Sequence, residues 1–357
     1  MKKNIAFIFP YNSWGGAFRS TYTLANGLID KGWKVDIIFP FIPPRNGFKI
    51  FSYKWIYLKL YGLIRSLIKF KKIPFKCRAR IIYVPWISSF WISSYDFIIA
   101  NHWNTVEDVY NLSNVCGKKI HFIRDIEQWA FYFDKELNVF RLPIKKIAVS
   151  NWVKNSLIQN YNVSVDEVIT NGIDYQTFKN IKDKPNFSKI KIGMCCSNHP
   201  MKGINIGINA LKKIQEIYTD RVEIIFFGFH KPKVPENFKF KWVHKPINTE
   251  LRDLYNSLHI FLFTSLQEGF GNPPLEAMVA KCCVITTLVG AMYEVGINNQ
   301  NCFIVNNDIK SFIDKIVYLI ERPEIIKNIG LKAENDLQNL GWDKSIIKLD
   351  KFLTSNL

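Results

Sequence analysis

The feature that most constrains the fold of this chain is a regular alternation between short apolar runs and longer amphipathic or polar stretches. Such a run predicts a buried strand, and its alternation with helices is typical of a parallel sheet covered on both faces. In the first half of the chain the predicted strands are 5–9, 34–39, 80–84, 97–100, 119–123 and 146–149, with a helix at 17–31. This half therefore predicts a doubly wound α/β domain.

The same pattern starts again after the polar stretch 180–188, which has the composition of a linker. Here the predicted strands are 190–196, 222–227, 260–264, 283–286 and 303–305, and the predicted helices are 204–217, 249–257, 273–280 and 308–320. A chain of 357 residues is long enough for two such domains. Because parallel sheets bind ligands at the carboxyl ends of their strands, we expect the functional site in a cleft between the domains.

The segment 264–278 contains a strand end, a glycine loop and a helix start in one run. Asn272, followed by proline, predicts the N-cap of a helix, which would place Glu276 in the first turn and Glu268 in the preceding loop. A carboxylate at such a place can accept hydrogen bonds from both hydroxyls of a ribose. The two glycines between the glutamates leave backbone N–H groups accessible to a sugar or phosphate. The alternative is an ordinary helix whose acidic first turn is stabilised by the helix dipole.

The spacing of Glu268 and Glu276 resembles the Glu, seven residues, Glu signature of the retaining family-4 glycosyltransferases, whose two Rossmann-like domains form the glycosyltransferase-B (GT-B) fold. Other segments that resemble this family are 149–152, 171–174, 202–203, 210–211, 264–265 and 341–342. The resemblance covers essentially the whole chain. It implies an acceptor-side N-terminal domain at 1–180, a donor-side C-terminal domain at 189–342, and a helix at 343–357 that packs back on the N-terminal domain.

The resemblance also implies roles for individual residues. Glu276 would hold the nucleotide ribose, Glu268 would contact the donor sugar as a catalytic residue, and Lys202 would neutralise charge on the leaving diphosphate. An exposed surface lysine is the alternative for Lys202. The expected donor-binding residues are Gly15, Gly16, Lys202, Gly269, Phe270, Gly271, Asn272 and Glu276.

Polar residues also follow the predicted strands of the first domain. His102 comes after strand 97–100, where the resemblance implies a histidine near the reacting sugar, so His102 is the second catalytic candidate. Asp125 and Glu127 follow the next strand and are candidates for acceptor contacts. A lone histidine is more often structural, which is the alternative for His102. The pair Gly15 and Gly16 after the first strand is not a GxGxxG motif, so an ordinary turn is the alternative for these glycines.

One stretch departs from the family pattern. The family usually has an arginine a few residues before the lysine, whereas residues 196–200 of this chain are Cys-Ser-Asn-His-Pro. We expect a clamp with one cation to hold the diphosphate less tightly, unless His199 or backbone amides substitute.

The resemblance implies retaining transfer by front-face attack, in which the leaving phosphate helps to deprotonate the acceptor and no protein nucleophile is needed. The chain has no Asp-x-Asp motif to hold a divalent cation on the diphosphate, so we expect no metal and no cofactor beyond the nucleotide-sugar co-substrate. The expected activity is sugar transfer to a glycan or lipid-linked acceptor in cell-surface polysaccharide synthesis. The alternatives are a non-catalytic sugar-nucleotide-binding subunit and a GT-B sugar-nucleotide epimerase or hydrolase.

The formal net charge of +18 is concentrated in the segment 45–80, which contains eleven Lys and Arg residues and no Asp or Glu. Leu60, Ile64, Leu67 and Ile68 have helical spacing, which predicts an amphipathic helix with basic side chains on its other face. Such a helix is typical of binding to an anionic membrane surface. The alternative is a helix packed on its own domain with a solvated basic face. Nucleic acid is not an expected partner, because no RNA-recognition motif accompanies the charge.

The seven cysteines form no CxxC pair and have no zinc-site spacing, so we expect reduced core residues in a cytoplasmic protein. The apolar run 5–9 is too short for a signal peptide, and no run has the ~20 apolar residues of a transmembrane helix. The expected location is therefore the cytoplasm, peripherally on the cytoplasmic face of the membrane.

Overall fold

The structure is a computed structural model and describes residues 3–12, 15–42, 44, 56–57, 60, 64, 76–92, 94–126, 138–180, 184 and 187–357. Most of the basic segment 45–80 and the predicted acceptor residue Glu127 lie outside the described residues.

In the described residues most strands are followed by a helix. The strands are β1 (Asn4–Ile8), β2 (Lys34–Pro40), β3 (Arg80–Val84), β4 (Phe97–Ala100), β5 (Lys118–Ile123), β6 (Lys145–Ala148), β7 (Glu167–Val168), β8 (Ile190–Cys196), β9 (Val222–Gly228), β10 (Lys241–His244), β11 (Ile260–Phe263), β12 (Cys283–Thr286) and β13 (Phe303–Ile304). The α-helices are α1 (Gly16–Asp30), α2 (Trp103–Tyr110), α3 (Asn151–Tyr161), α4 (Tyr175–Phe178), α5 (Ile204–Ile217), α6 (Asn248–Ser257), α7 (Asn272–Val279), α8 (Met292–Val295), α9 (Ile309–Ile320), α10 (Pro323–Leu337) and α11 (Trp342–Thr354).

The chain divides into two compact units. Unit 1 is Met1–Asn171 with Trp342–Leu357, and unit 2 is Gly172–Gly341. Residues 172–180 therefore belong to unit 2, although the sequence placed them in the first domain. Two hydrogen bonds explain this: Ile173 N donates to Leu340 O at 2.8 Å, and the Tyr175 hydroxyl donates to Glu334 at 2.5 Å.

Unit 1 is built on a seven-stranded sheet of order β3-β2-β1-β4-β5-β6-β7, in which each pair of neighbours is parallel. Its central strands are buried on both faces, as the apolar run at 5–8 requires: these four residues are 0% exposed. The C-terminal α11 packs on α1, where a Cβ added to Gly27 would lie 2.3 Å from Ile346 Cδ1. Trp33 Nε1 also donates to Asp350 at 2.8 Å, which holds α11 within this unit.

Unit 2 repeats the architecture with a six-stranded sheet of order β10-β9-β8-β11-β12-β13, again parallel throughout. In both units the winding direction reverses beside the first strand, between β1 and β4 and between β8 and β11. Ligands of open α/β sheets bind at the carboxyl ends of the strands at such a reversal. Two doubly wound units are what the sequence predicts, so the fold class is confirmed.

Local details differ from the prediction. The short strands β7 and β10 were not predicted, because neither is a continuous apolar run. The N-cap of α7 is Gly271 and not Asn272, so Glu276 lies in the second turn of the helix and not in the first. Gly271 has φ +78°, a left-handed conformation that glycine adopts without a steric cost and that lets the helix begin one residue early. The described residues include no helix with the length and hydropathy of a membrane-crossing segment.

Candidate functional site

In unit 2 the loops that follow β8 and β11 are joined by two hydrogen bonds at the winding reversal. Leu266 N donates to Met201 O at 2.8 Å, and Thr264 Oγ1 donates to Lys202 O at 3.0 Å. The approach is close, because a Cβ on Gly203 would lie 2.1 Å from Thr264 O. These contacts fix the backbone of Lys202 beside the loop that carries Glu268.

The side chains of Lys202 and Glu268 meet in an ion pair. Lys202 Nζ lies 2.5 Å from Glu268 Oε1, and Ser265 Oγ donates to the same oxygen at 2.8 Å. The carboxylate is buried, at 8% exposure, while the lysine side chain is 36% exposed. A partly exposed cation beside a buried carboxylate can exchange or share its partner when an anionic ligand arrives.

The glycine loop between the two glutamates packs against the loop that follows β12. Phe270 is buried, and its carbonyl accepts a hydrogen bond from Ala291 N at 2.6 Å. Gly290 has φ +55°, and a Cβ there would lie 2.4 Å from Phe270 O and 3.0 Å from Glu268 Cβ. Gly269 is buried and Asn272, the first residue of α7, is partly exposed.

Glu276 is buried in α7, at 5% exposure, and accepts a hydrogen bond from the Tyr255 hydroxyl at 3.2 Å. Tyr255 is 1% exposed, and its ring makes edge contacts with Phe178, Phe227 and Phe261. Burial raises the pKa of Tyr255, and the charge of Glu276 raises it further, so the hydroxyl remains a donor. Sequence reasoning missed Tyr255, because no local motif relates α6 to α7.

Cys195, the last residue but one of β8, lies near all three charged residues. Burial raises the pKa of its thiol to about 12; Lys202 acts to lower this value, whereas Glu276 and Glu268 act to raise it. All three charges are therefore within electrostatic range of the carboxyl end of β8.

His199 occupies the place where the sequence suggested a substitute for the family's arginine. Its Nδ1 accepts a hydrogen bond from Met201 N at 3.3 Å and so caps the short 3-10 helix Pro200–Lys202. The ring thus has a structural task next to Lys202, and its contribution to diphosphate binding stays a prediction.

In unit 1, Gly15 and Gly16 lie at the start of α1 and are both exposed. Gly15 has φ −68°, and a Cβ there would meet only Phe18 Cδ2 at 3.8 Å. Neither packing nor backbone conformation requires glycine at this position. Close approach of a ligand to the helix N-terminus would explain why glycine occupies this position. Binding of the nucleotide-sugar donor by Gly15 and Gly16 therefore stays a hypothesis.

His102 is the N-cap residue of α2, and its Nδ1 lies 2.7 Å from Asn104 Oδ1. Because that amide oxygen can only accept, Nδ1 carries a proton, and in the neutral ring Nε2 is an acceptor. Burial lowers the pKa of His102 to about 4, although the hydrogen bond to Asn104 acts to raise it. At neutral pH the ring can therefore accept a hydrogen bond from a sugar hydroxyl.

Asp125 is partly exposed at the end of β5, and its Oδ1 accepts a hydrogen bond from Ile126 N at 2.7 Å. Its neighbour Arg124, which sequence reasoning did not single out, reaches across the carboxyl end of the sheet to α1 and to Asn101. The sequence pattern that could have identified Arg124 is a basic residue directly after a buried strand.

We predict that acid lowers the stability of unit 1 through the buried His121. Burial, then the charges of Lys146 and His102, lower the pKa of His121 to about 3. An unfolded histidine titrates near ~6.5, so below that pH the unfolded chain takes up a proton that the folded chain does not. The free energy of unfolding should therefore fall by about 1.4 kcal/mol per pH unit from this residue.

The measurement is denaturant unfolding between about pH 7 and pH 5, where His102, whose pKa burial also lowers, adds to the slope that comes from His121. The control is His121→Phe, which keeps the stacking on Phe140 but cannot titrate. Its stability should depend less steeply on pH than that of the wild type. Equal slopes in the two proteins would contradict the prediction.

Family models match both parts of the chain. The model described as Glycosyltransferase Family 4 matches residues 14–177, and the model described as Glycosyl transferases group 1 matches residues 189–322. With the two doubly wound units and the charged cluster at the end of β8, these matches define the class: the chain belongs to the family-4 glycosyltransferases of GT-B fold.

Two of the curated proteins to which the chain is similar are named as glycosyltransferases of an O-antigen chain and of a capsular polysaccharide. The chain is 27% identical to the O-antigen chain mannosyltransferase RfbU of Salmonella typhimurium, over 54% of this chain and 56% of that protein. It is 24% identical to the capsular polysaccharide biosynthesis glycosyltransferase CapM of Staphylococcus aureus, over 63% of this chain and 64% of that one. The chain thus spans 56% and 64% of the length of these two curated relatives.

Among solved structures, Anabaena Alr3699/HepE in complex with UDP and glucose superposes with a TM-score of 0.69 at 16% identity, over 99% of this chain and 100% of that one. WaaG, a glycosyltransferase involved in lipopolysaccharide biosynthesis, superposes with a TM-score of 0.64 at 14% identity, over 98% of this chain and 99% of that one. At these identities the likeness concerns the fold.

Proposed function

We propose that this protein is a retaining, metal-independent glycosyltransferase that moves a sugar from a nucleotide sugar to a glycan or lipid-linked acceptor in cell-surface polysaccharide synthesis. The observation that carries the proposal is the gathering of Lys202, Glu268 and Glu276 at the carboxyl end of β8. The relatives' names, which refer to O-antigen and capsular polysaccharide, support the setting.

Each of the three residues has a task in this proposal. Glu276, held by Tyr255, accepts hydrogen bonds from the ribose hydroxyls of the donor. Lys202 turns from Glu268 towards the diphosphate and stabilises the charge that develops as the glycosidic bond breaks. Glu268, still bonded to Ser265, is then available to accept hydrogen bonds from hydroxyls of the donor sugar.

Retention and metal independence rest on the family pattern and on the cation that the chain itself supplies. The acceptor approaches from the face that the diphosphate leaves, so the leaving phosphate can receive the acceptor proton. Lys202 takes the place of a divalent cation on the diphosphate. Determination of the product's anomeric configuration, with and without a chelator, tests both parts.

The donor is identified by thermal unfolding in the presence of UDP-, GDP-, dTDP- and ADP-sugars. A ligand at a hundred times its Kd adds ~2.7 kcal/mol to the free energy of unfolding, so the matching nucleotide should raise the Tm clearly. Failure of every nucleotide sugar to stabilise the wild type would contradict the proposal. Release of free sugar without an acceptor would favour a hydrolase.

We also propose that unit 1 associates peripherally with an anionic membrane surface. Ile56, Leu60 and Ile64 are helical, lie four residues apart, and are 44%, 55% and 55% exposed. Apolar side chains packed on their own domain would be buried, so this exposure favours an interfacial helix over the alternative.

A second apolar surface follows β3. The aromatic cluster, which consists of Trp86, Phe90 and Trp91, is 48%, 80% and 40% exposed and is held together by edge-to-face contacts. It lies in the stretch 37–95, which contains no Asp or Glu. Exposed tryptophan and phenylalanine side chains in an acid-free stretch of sequence suit the headgroup region of an anionic bilayer.

We predict that changing Lys59, Arg65, Lys69 and Lys72 to glutamine releases the protein from anionic vesicles. A basic residue near such a surface contributes ~1 kcal/mol, so the four changes should weaken binding by more than about 100-fold. The measurement is co-sedimentation at moderate salt. The control makes four lysine-to-glutamine changes at exposed positions of unit 2, at Lys231, Lys233, Lys310 and Lys327. A wild-type protein that does not sediment with anionic vesicles would contradict the membrane proposal.

A further inference from the structure

Arg124 directly follows β5, at the carboxyl end of the sheet of unit 1. Its guanidinium lies over the ring of Phe122, 3.6 Å from the ring centroid. From there it extends along the strand ends towards α1. This is the edge of the sheet at which parallel α/β units bind their ligands.

Four of the five N–H groups of Arg124 have acceptors among the described residues, and two of these hydrogen bonds are long. Nη2 donates to Thr21 Oγ1 at 2.9 Å and to Asn101 Oδ1 at 3.3 Å. Nη1 lies 3.4 Å from Ser20 Oγ and 3.5 Å from Asn171 Oδ1. Both distances are longer than those of ordinary N–H···O hydrogen bonds, so these two bonds are weak. Nε is buried and has no acceptor in the described part of the chain.

All four oxygens around Arg124 are neutral and belong to buried residues: Ser20 and Asn101 are 1% exposed, Thr21 is 0% and Asn171 is 6%. No carboxylate in the described residues forms an ion pair with the guanidinium. Burial alone lowers the pKa of Arg124 to about 9, so the group is still a cation at neutral pH. Arg124 is partly exposed, and a partly buried cation whose described partners are all neutral is stabilised by an arriving anion.

We propose that Arg124, with Ser20, Thr21, Asn101 and Asn171, forms an anion site in unit 1 that binds a phosphate group. The hydroxyls of Ser20 and Thr21 donate to Ala17 O, so the guanidinium itself is the group that binds the anion. Its Nη1 can exchange two long hydrogen bonds to neutral oxygens for shorter, charge-assisted bonds to phosphate oxygens. Phosphate is the anion that a nucleotide sugar carries, and a lipid-linked acceptor can carry it too. The identity of its source rests on the proposed function, whereas the site itself does not.

Arg124 could alternatively serve only to tie α1 to the loop after β4. This role predicts that its loss lowers stability without affecting phosphate binding. The two possibilities therefore differ in a binding measurement and not only in a folding one.

The test measures binding of inorganic phosphate to the full chain by calorimetry. It uses a Lys202→Met background, which removes the side chain to which diphosphate binding in unit 2 is assigned. We expect Arg124→Met to weaken this binding at least about tenfold, because hydrogen bonds to a charged group are lost. Arg78→Met, which removes an exposed arginine of the same unit, should leave the affinity unchanged. If Arg124→Met does not fold, Arg124→Lys keeps the charge but loses the two-pronged geometry, and weaker phosphate binding by this variant would support the site. Unchanged phosphate affinity in these Arg124 variants would overturn it.

A second arm identifies the source of the phosphate by comparing Arg124→Lys with the wild type. A higher Kd for the nucleotide sugar would assign the donor diphosphate, and a higher acceptor KM at unchanged donor Kd would assign the acceptor. If the wild type binds no nucleotide sugar, the proposed function fails, yet the inorganic phosphate measurement still decides the role of Arg124.

Discussion

Replacement of Glu276 by alanine is expected to abolish nucleotide-sugar binding while the protein stays folded. The carboxylate is buried in α7 and positioned by Tyr255. Two hydrogen bonds from ribose hydroxyls to a carboxylate contribute ~1.5–3 kcal/mol each, so their loss should raise the Kd by about 100-fold or more. Calorimetry with the nucleotide sugar that stabilises the wild type measures this change.

Two milder variants separate the carboxylate from its support. Glu276→Gln keeps an oxygen that can accept from Tyr255, and should weaken binding less than alanine does. Tyr255→Phe keeps the carboxylate but removes the 3.2 Å hydrogen bond, and should weaken binding about fivefold, as expected for ~1 kcal/mol. The control is Tyr218→Phe, whose hydroxyl bonds Glu321 at an exposed position. A folded Glu276→Ala protein that binds the nucleotide sugar normally would rule out the assigned role.

Replacement of Lys202 by methionine should reduce turnover by ~10²–10³-fold, the usual effect of removing one group that stabilises transition-state charge. It should also lower the free energy of unfolding by about 1–3 kcal/mol, because the buried carboxylate of Glu268 would keep only Ser265 as a partner. Steady-state kinetics and denaturant unfolding measure the two effects.

The double variant Lys202→Met/Glu268→Gln distinguishes catalysis from stability. Without the buried charge, part of the lost stability should return, whereas turnover should remain low. Lys241→Met is a matched control, because Lys241 also pairs with a glutamate at 2.5 Å but does so on β10, away from the proposed site. If turnover survives in Lys202→Met, or falls equally in Lys241→Met, Lys202 has no special role.

The sequence by itself determined the fold class, the main strands and the segment around Glu268 and Glu276. These properties are local: a strand buried on both faces must be a short apolar run, and the glycine loop lies beside its helix in the chain. The two short strands without an apolar run escaped prediction for the same reason. The one-residue shift of the α7 N-cap depended on the positive φ of Gly271, which sequence does not display.

Only the tertiary structure decided which distant residues meet. Lys202 and Glu268 are 66 positions apart, and Arg124 and Thr21 are 103 apart. A parallel sheet brings the carboxyl ends of its strands to one edge, so a sequence can predict that polar residues after strands share an edge. Which of them pair depends on loop conformation and side-chain packing, as at Gly203 and Gly290, and these are set by contacts across the whole unit.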